Sequence, residues 1–335
     1  MVRLVQISHP EQGRRVGQVC GDQLVLLRQY RTVYDLAMAA IGNAVTLVES
    51  VRADTGDERI DYDPVYEGRS SWRLLPCFDH PMEPSRCHVS GTGLTHKASA
   101  LNRQAMHESA DDEQEMTDSM QMFQWGLERG HASTGAIGVQ PEWFYKGNGS
   151  ILRAHGEALE VPSFADDGGE EGEVAGLYLI DPDGHPRRVG MAIGNEFADH
   201  VMEKKNYLYL APSKLRASAI GPELIAHPIY EDVRGTARVE RQGRVVWSHD
   251  IATGERNMCH SLANLEHHQF KYEAHRRPGD VHVHFYGADA FSFGAGFALE
   301  DGDIMQIEWQ QFGRPLRNPI RIDRKGPAFV GVKAL

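Results

Sequence analysis

Hydrophobic residues follow two different periods along this chain. Near the N-terminus, "RLVQI" and "GQVCGDQLVLL" alternate apolar and polar positions, the period-2 pattern of half-buried strands, and Gly21-Asp22 interrupts the second run as a hairpin turn would. "TVYDLAMAAIGNAVTLVESV" (32–51) switches to helical spacing and predicts a helix. "CFDHPMEPSRC" (77–87) then gathers prolines and turn formers, which predicts a linker with a domain boundary near residue 85. Beyond it, "CHVSGTGLTHKASALNRQAM" predicts a strand, a glycine-rich turn and a helix start, and "DDEQEMTDSMQMFQWGLERG" predicts a helix opened by acids and closed by Gly130. From 141 the pattern becomes short strands and turns. "EVAGLYLI", "DPDG" and "RRVGMAIGN" read as one hairpin, and "RVERQGRVVWSHD" as a second around Gln242-Gly243. "SLANLEHHQFKYEAH" reads as a helix, and "GDVHVHFYG", "DAFSFG" and "DIMQIEWQQFG" as strands. The expected class is α+β and mostly β: a small α+β domain over 1–85, then a larger, mostly β domain over 86–335.

Composition narrows the function classes. The 335 residues are 41% hydrophobic and 24% charged, ordinary for a globular chain long enough to bury a sizeable core. A formal net charge of -12 repels phosphate backbones and argues against nucleic acid as a partner. There is no 18-residue apolar run to span a membrane, and "MVRLVQISHPEQGRR" lacks the apolar core of a signal peptide. Cys20, Cys77, Cys87 and Cys259 have no metal-like spacing and read as reduced thiols, so the expected location is the cytoplasm. No G-x-G-x-x-G completes "GTG" at 91–93, and no G-x-S-x-G elbow supports a serine hydrolase.

The candidate chemistry lies in "GGEEGEVAGLYLIDPDGHPRRVGMAIGNEF" (168–197). In a strand, Glu171 and Glu173 project from one face, about 7 Å apart at Cα. Glu196 closes the paired strand, and the hairpin can bring it back beside them. Three converging carboxylates repel unless a charge cancels theirs, and an oxygen-only set suits Mg²⁺, Mn²⁺ or Ca²⁺. The competing reading is a solvated acidic loop before a strand. His282 and His284 share a strand face in an H-x-H pattern, but the following "GADAFSFGAG" lacks further metal ligands, so they read as packing or surface residues. His260 and His267-His268 read as structural. The loops 130–133 and 147–150 are candidates for substrate contact.

The ordered pieces "PEWFYKGNGSILRAHGEALEVP", E-x-E, "AIGNEF", "YLYLAPSKLRASAIGP" and "GFALEDGDIMQIEWQQFGRPLRNPI" resemble the fumarylacetoacetate hydrolase superfamily over roughly residues 86–322. "FYKGN", "IGNEF" and "LYLAPSK" look similar to its sugar-acid branch, which dehydrates 2-keto-3-deoxy aldonates. The resemblance implies the superfamily's mixed β-sandwich roll for the catalytic domain. It implies Glu171 and Glu173 as ligands of a Mg²⁺ ion, with Glu196 as the third ligand where the family usually has aspartate, and Asp199 as the fallback. It also implies Lys214 and Lys146 as pocket lysines, Gly147 and Asn148 as substrate contacts beside Lys146, and a homodimer or homotetramer. The family's hydrolases carry His and, three residues later, Glu on a lid; here His96 is followed by Ser99. They also carry a late T-G-T, where this chain has Phe293-Gly294-Ala295-Gly296. Both departures favour lyase chemistry.

The reaction so implied starts from a 2-keto acid chelating the cation, which acidifies C3. Lys214 is the candidate base, its pKa lowered by burial beside a cation. Lys146 is the candidate for binding the substrate carboxylate, and the two roles are interchangeable on sequence grounds. His96 is either a lid acid or a surface histidine at a helix start. With 2-keto-3-deoxypentonate the product is 2-oxoglutarate semialdehyde. The alternative is hydrolytic C–C cleavage of a 2,4-diketo acid or acylpyruvate.

Overall fold

A computed structural model describes residues 1–107 and 117–335, and within them all side chains but those of 102, 103 and 105–107. The expected acidic helix opening falls at 111–116, outside the described residues. Strands β1 (Val2–His9), β2 (Gly13–Cys20) and β3 (Gln23–Leu27) form an antiparallel meander, with Gly21 at φ +66° in the two-residue turn. The helical run at 32–51 is two helices rather than one, α1 (Val33–Gly42) and α2 (Leu47–Asp54). Ala44 at φ +53° turns the chain, and Thr46 with Glu49 forms a capping box that starts the second helix. Apolar periodicity ran through the break; the capping chemistry did not.

Next come β4 (Thr55–Asp61), α3 (Tyr62–Tyr66), β5 (Arg73–Leu74), β6 (Cys87–Gly91), α4 (Lys97–His107), α5 (Asp118–Arg129), β7 (Phe144–Asn148), β8 (Leu152–Arg153) and β9 (Leu159–Val161). The long hairpin of β10 (Gly172–Ile180) and β11 (Pro186–Asn195) follows, then α6 (His200–Lys205), α7 (Leu210–Ser213), β12 (Ser218–Ile220) and β13 (Leu224–Ala226). A second hairpin, β14 (Val233–Arg241) and β15 (Arg244–Thr253), precedes α8 (Leu262–Phe270), β16 (Val281–Phe285), β17 (Ile304–Trp309) and β18 (Leu316–Ile322). Helix α8 stops at Phe270, and only a 3₁₀ turn at Glu273–His275 continues the expected helix. "DAFSFG" is a 3₁₀ turn at Ser292–Ala295 rather than a strand, because a glutamate side chain, not a neighbouring strand, takes the Ser292 N–H.

Thirteen of the described strands form one mixed sheet with the path β4-β3-β2-β1-β13-β11-β10-β16-β6-β7, and β15-β14-β17-β18-β9 form a second. Strand β1 pairs with β13, and Val2, Leu4, Leu36 and Val51 share a core with Leu177 and Val283. A boundary at residue 85 therefore separates two segments of one sheet. Strand β10 is buried at all nine residues because both its faces are covered. Ala175, Leu177 and Leu179 pack toward α1 and α2, while Val174 joins Ile251 and Ile307 of the second sheet. No described helix is by itself long and apolar enough to cross a membrane.

Burial reaches the histidines too. His282 and His284 are interior packing residues: His284 bonds the hydroxyls of Ser90 and Thr92 at 2.8 Å, and His282 stacks on His88 at 4.9 Å. Burial pushes the pKa of His96 and His284 down to about 3, and that of His155 and His260 to about 4. These folded values lie below the unfolded value near 6.5, so the unfolded chain binds more protons as the pH drops. The histidine contribution to stability is complete above about pH 6.5 and falls with acidification at about 1.4 kcal/mol per pH unit for each residue. The raised carboxyl pKa values of Glu170, Glu173 and Glu196 act in the opposite sense. His284→Asn is therefore expected to flatten the pH dependence of urea unfolding between pH 6.5 and 5 relative to the wild type. An unchanged slope would contradict the assignment.

Candidate metal centre

Three carboxylates meet at the open end of the β10–β11 hairpin. Gly172 pairs with Asn195, the Glu196 N–H donates to the Glu171 carbonyl at 3.0 Å, and Gly169 bridges Ala198, so pairing continues past the strand ends. Glu171 thus stands opposite Glu196, with Glu173 two residues along. Near the turn, Tyr178 pairs with Arg188, but Leu177 pairs with Gly190, leaving Val189 as an extra residue. This bulge sets the register. In the turn's own register Glu170 would face Glu196.

The two glycines before the acids make room for rings. A Cβ on Gly168 would lie 2.4 Å from the Phe197 ring, and one on Gly169 would lie 2.6 Å from His200 Nδ1. "GGEE" is a crowded, buried entrance, not a solvated loop.

The carboxylates of Glu171, Glu173 and Glu196 each offer an oxygen within 4.8 Å of the others, and exposures are 8%, 0% and 0%. Strand β7 turns Phe144 and Lys146 inward and Tyr145 outward. Lys146 Nζ pairs with Glu196 Oε1 and donates to the Phe197 carbonyl at 2.9 Å. Lys214, the residue after α7, donates to Glu171 Oε1 at 2.5 Å and Glu196 Oε2 at 2.6 Å, and its Nζ lies 4.8 Å above the Phe144 ring. His200 Nε2 lies 3.0 Å from Glu171 Oε1. Glu173 Oε2 accepts the Gly287 N–H at 2.7 Å, while its Oε1 is buried with no partner.

Lys146, Lys214 and His200 all face this carboxylate cluster. Burial raises the Glu173 pKa well above the usual range, and the charges of Glu196 and Glu171 add to it. Burial and Glu171 also raise Glu196, to about 7, against the pull of Lys146 and Lys214. Burial acts upward on Glu171 as well, but Lys214 and His200 outweigh it and hold that carboxyl well below the ordinary range. Burial lowers Lys146, whereas for Lys214 the charges of Glu171 and Glu196 overcome burial and raise it. Without a cation, the direction for Lys214 is thus opposite to the lowering expected beside one, because two carboxylates face it.

The orphaned Glu173 Oε1 inside an all-oxygen, one-sided cluster fits a hard divalent cation such as Mg²⁺, Mn²⁺ or Ca²⁺. Asp199 stands apart from this set. Its Oδ1 caps α6 through Met202 N at 2.8 Å, and its Oδ2 takes Arg216 Nη2 and Asp166 N, both at 2.9 Å. Gly147 and Asn148 follow Lys146 in β7, but the Asn148 side chain caps the next turn through Ser150 N at 2.9 Å. His96 is 1% exposed rather than on the surface, with Nδ1 bonded to Thr95 at 2.8 Å and Nε2 to Thr253 at 3.1 Å. It makes no hydrogen bond to the carboxylates. His131, in the other candidate loop, bonds the Met258 carbonyl. His200 and Glu170 went unnoticed in the sequence. The only signal for them was the glycine pair, whose missing side chains give His200 its space.

Lys214→Met should leave Glu171 and Glu196 facing each other with one counter-charge fewer. The expected cost in chelator-treated protein is about 3–5 kcal/mol by urea unfolding. A cost below about 1 kcal/mol would show that proton uptake, not Lys214, neutralises the cluster.

No protein-family model and no curated protein matches the chain. Solved structures do. The chain is similar to 2-keto-3-deoxyarabinonate dehydratase at TM-score 0.70 and 19% identity, over 96% of this chain and 100% of that one. The same figures, with TM-score 0.69, hold for 2-keto-3-deoxy-D-arabinonate dehydratase complexed with magnesium and 2,5-dioxopentanoate. It is also similar to 2-hydroxyhepta-2,4-diene-1,7-dioate isomerase from Mycobacterium marinum, at TM-score 0.57 and 16% identity over 97% and 100%. The chain therefore shares its fold, over nearly its whole length, with 2-keto-3-deoxyarabinonate dehydratase.

Proposed function

We propose that the protein is a Mg²⁺-dependent dehydratase of a 2-keto-3-deoxy sugar acid, converting 2-keto-3-deoxypentonate to 2-oxoglutarate semialdehyde and water. The observation that carries this reading is the buried convergence of Glu171, Glu173 and Glu196, with Lys146 on Glu196 and Lys214 on both Glu171 and Glu196. In support, the dehydratase that shares the fold binds magnesium and 2,5-dioxopentanoate, which is the same compound as 2-oxoglutarate semialdehyde.

Glu171, Glu173 and Glu196 would hold the cation. When bound, it supplies Lewis-acid polarisation of the C2 keto group. The chain's own residues do the rest. Lys146 and Lys214 touch these carboxylates, so a 2-keto acid held there lies beside two amines. One binds the substrate carboxylate as an ammonium; the other, when neutral, takes a C3 proton. The C4 hydroxyl leaves with a proton as water, giving a C3=C4 bond conjugated to the keto group. Proton transfer from C5 to C3 yields the C4=C5 enol, which tautomerises to the aldehyde. The wholly buried floor excludes bulk water from these transfers. His96 would act as a lid acid only after releasing Thr95 and Thr253.

Purified protein with Mg²⁺ and 2-keto-3-deoxypentonate should form semialdehyde, while acylpyruvates should yield no pyruvate. Pyruvate without semialdehyde would establish the hydrolase reading instead. Glu171→Ala and Glu173→Ala should each lower turnover by more than about 100-fold, beyond the cost of losing a supporting residue. Near-normal turnover in either would remove that residue from the ligand set.

A further inference from the structure

His200 lies outside every role described so far. It is the first residue of α6, 2% exposed, with its ring stacked against two aromatic rings. Phe291 stacks on it at 4.7 Å with planes 6° apart, and Phe293 lies at 5.2 Å and 23°. Nε2 faces Glu171 Oε1 at 3.0 Å and is the donor in that bond, since an ionised carboxylate only accepts. Nδ1 has no partner and faces the Cα of Gly169, where a methyl group would lie 2.6 Å away.

The segment that supplies both rings also holds the neighbouring acids. Gly287 N donates to Glu173 Oε2 at 2.7 Å, and Ser292 donates through N at 2.7 Å and Oγ at 2.8 Å to Glu170. Residues 287–293 thus grip Glu170 and Glu173 directly and Glu171 through the His200 ring. A ring stacked against two aromatic rings has little angular freedom, and so does the carboxylate oxygen it bonds.

We propose that His200 is a positioning residue that fixes Glu171 for cation binding, with Phe291 and Phe293 as its clamp and Gly169 as its clearance. The proposal rests on the metal-site reading above. Its test uses side-chain reach: a glutamine amide extends to about the position of Nε2, an asparagine amide only to about that of Nδ1.

Mn²⁺ affinity of the full chain, measured by electron paramagnetic resonance with the metal alone, is compared for wild type, His200→Gln, His200→Asn, Phe291→Leu and Glu171→Ala. Circular dichroism checks that each is folded. His200→Asn should weaken Mn²⁺ binding by about 10–100-fold, and His200→Gln should restore it to within about fivefold of wild type. Phe291→Leu, which leaves the imidazole in place, should also weaken binding severalfold; it stands in for the asparagine variant if that chain does not fold. Wild-type affinity in His200→Asn or, in its place, Phe291→Leu overturns the proposal. If Glu171→Ala meanwhile loses Mn²⁺, the metal site stands and only the positioning role fails. Undiminished Mn²⁺ binding in Glu171→Ala removes the metal-site reading and this inference together.

Discussion

Everything at this site depends on bringing three carboxylates out of water in one place. An isolated buried carboxylate is too costly to keep ionised, so the cluster exists only because charge is supplied from other parts of the chain. Lys146 arrives on β7 and bonds Glu196, and Lys214, just after the short α7, bonds both Glu171 and Glu196. Neither lysine bonds Glu173, and burial with the charges of Glu196 and Glu171 pushes its pKa well above the usual range. Inside this cluster one buried oxygen, Glu173 Oε1, keeps no hydrogen-bond partner.

The same constraint explains the rigidity around it. The β10–β11 ladder runs past its strands to Gly169 and Ala198, so Glu171 and Glu196 sit on paired backbone rather than on a free loop. The 287–293 segment closes the other side through backbone and hydroxyl donors. Close packing requires the small residues at 168 and 169, since a methyl group at either position would overlap a ring.

The position of His96 bears on the choice between lyase and hydrolase. A water-activating dyad needs a free imidazole nitrogen and a nearby carboxylate. Here both ring nitrogens are bonded to threonines, burial depresses the ring's pKa to about 3, and Ser99 stands where the hydrolases carry glutamate. Under the proposed function, these features weigh against water activation by His96.

Local chemistry was readable in the linear chain wherever neighbours in sequence settle the outcome. Gly21-Asp22 and Gln242-Gly243 turn as their residue types require, the E-x-E hairpin is where alternation put it, and the fold matches the ordered motifs. Two expectations failed, one at a local capping signal and one where a distant group competes. One apolar helical run became two helices at a capping box, and "FSFG" became a turn because Glu170 took its N–H. Strand spacing, the hairpin and the family resemblance made Glu171, Glu173 and Glu196 ligand candidates. Only the tertiary structure brings Glu196, rather than Asp199, beside Glu171 and Glu173, through a one-residue bulge at Val189 and the commitment of Asp199 to Arg216 and a helix cap. The reason is physical: alternation records which residues avoid water, but register and charge pairing depend on groups far away in sequence.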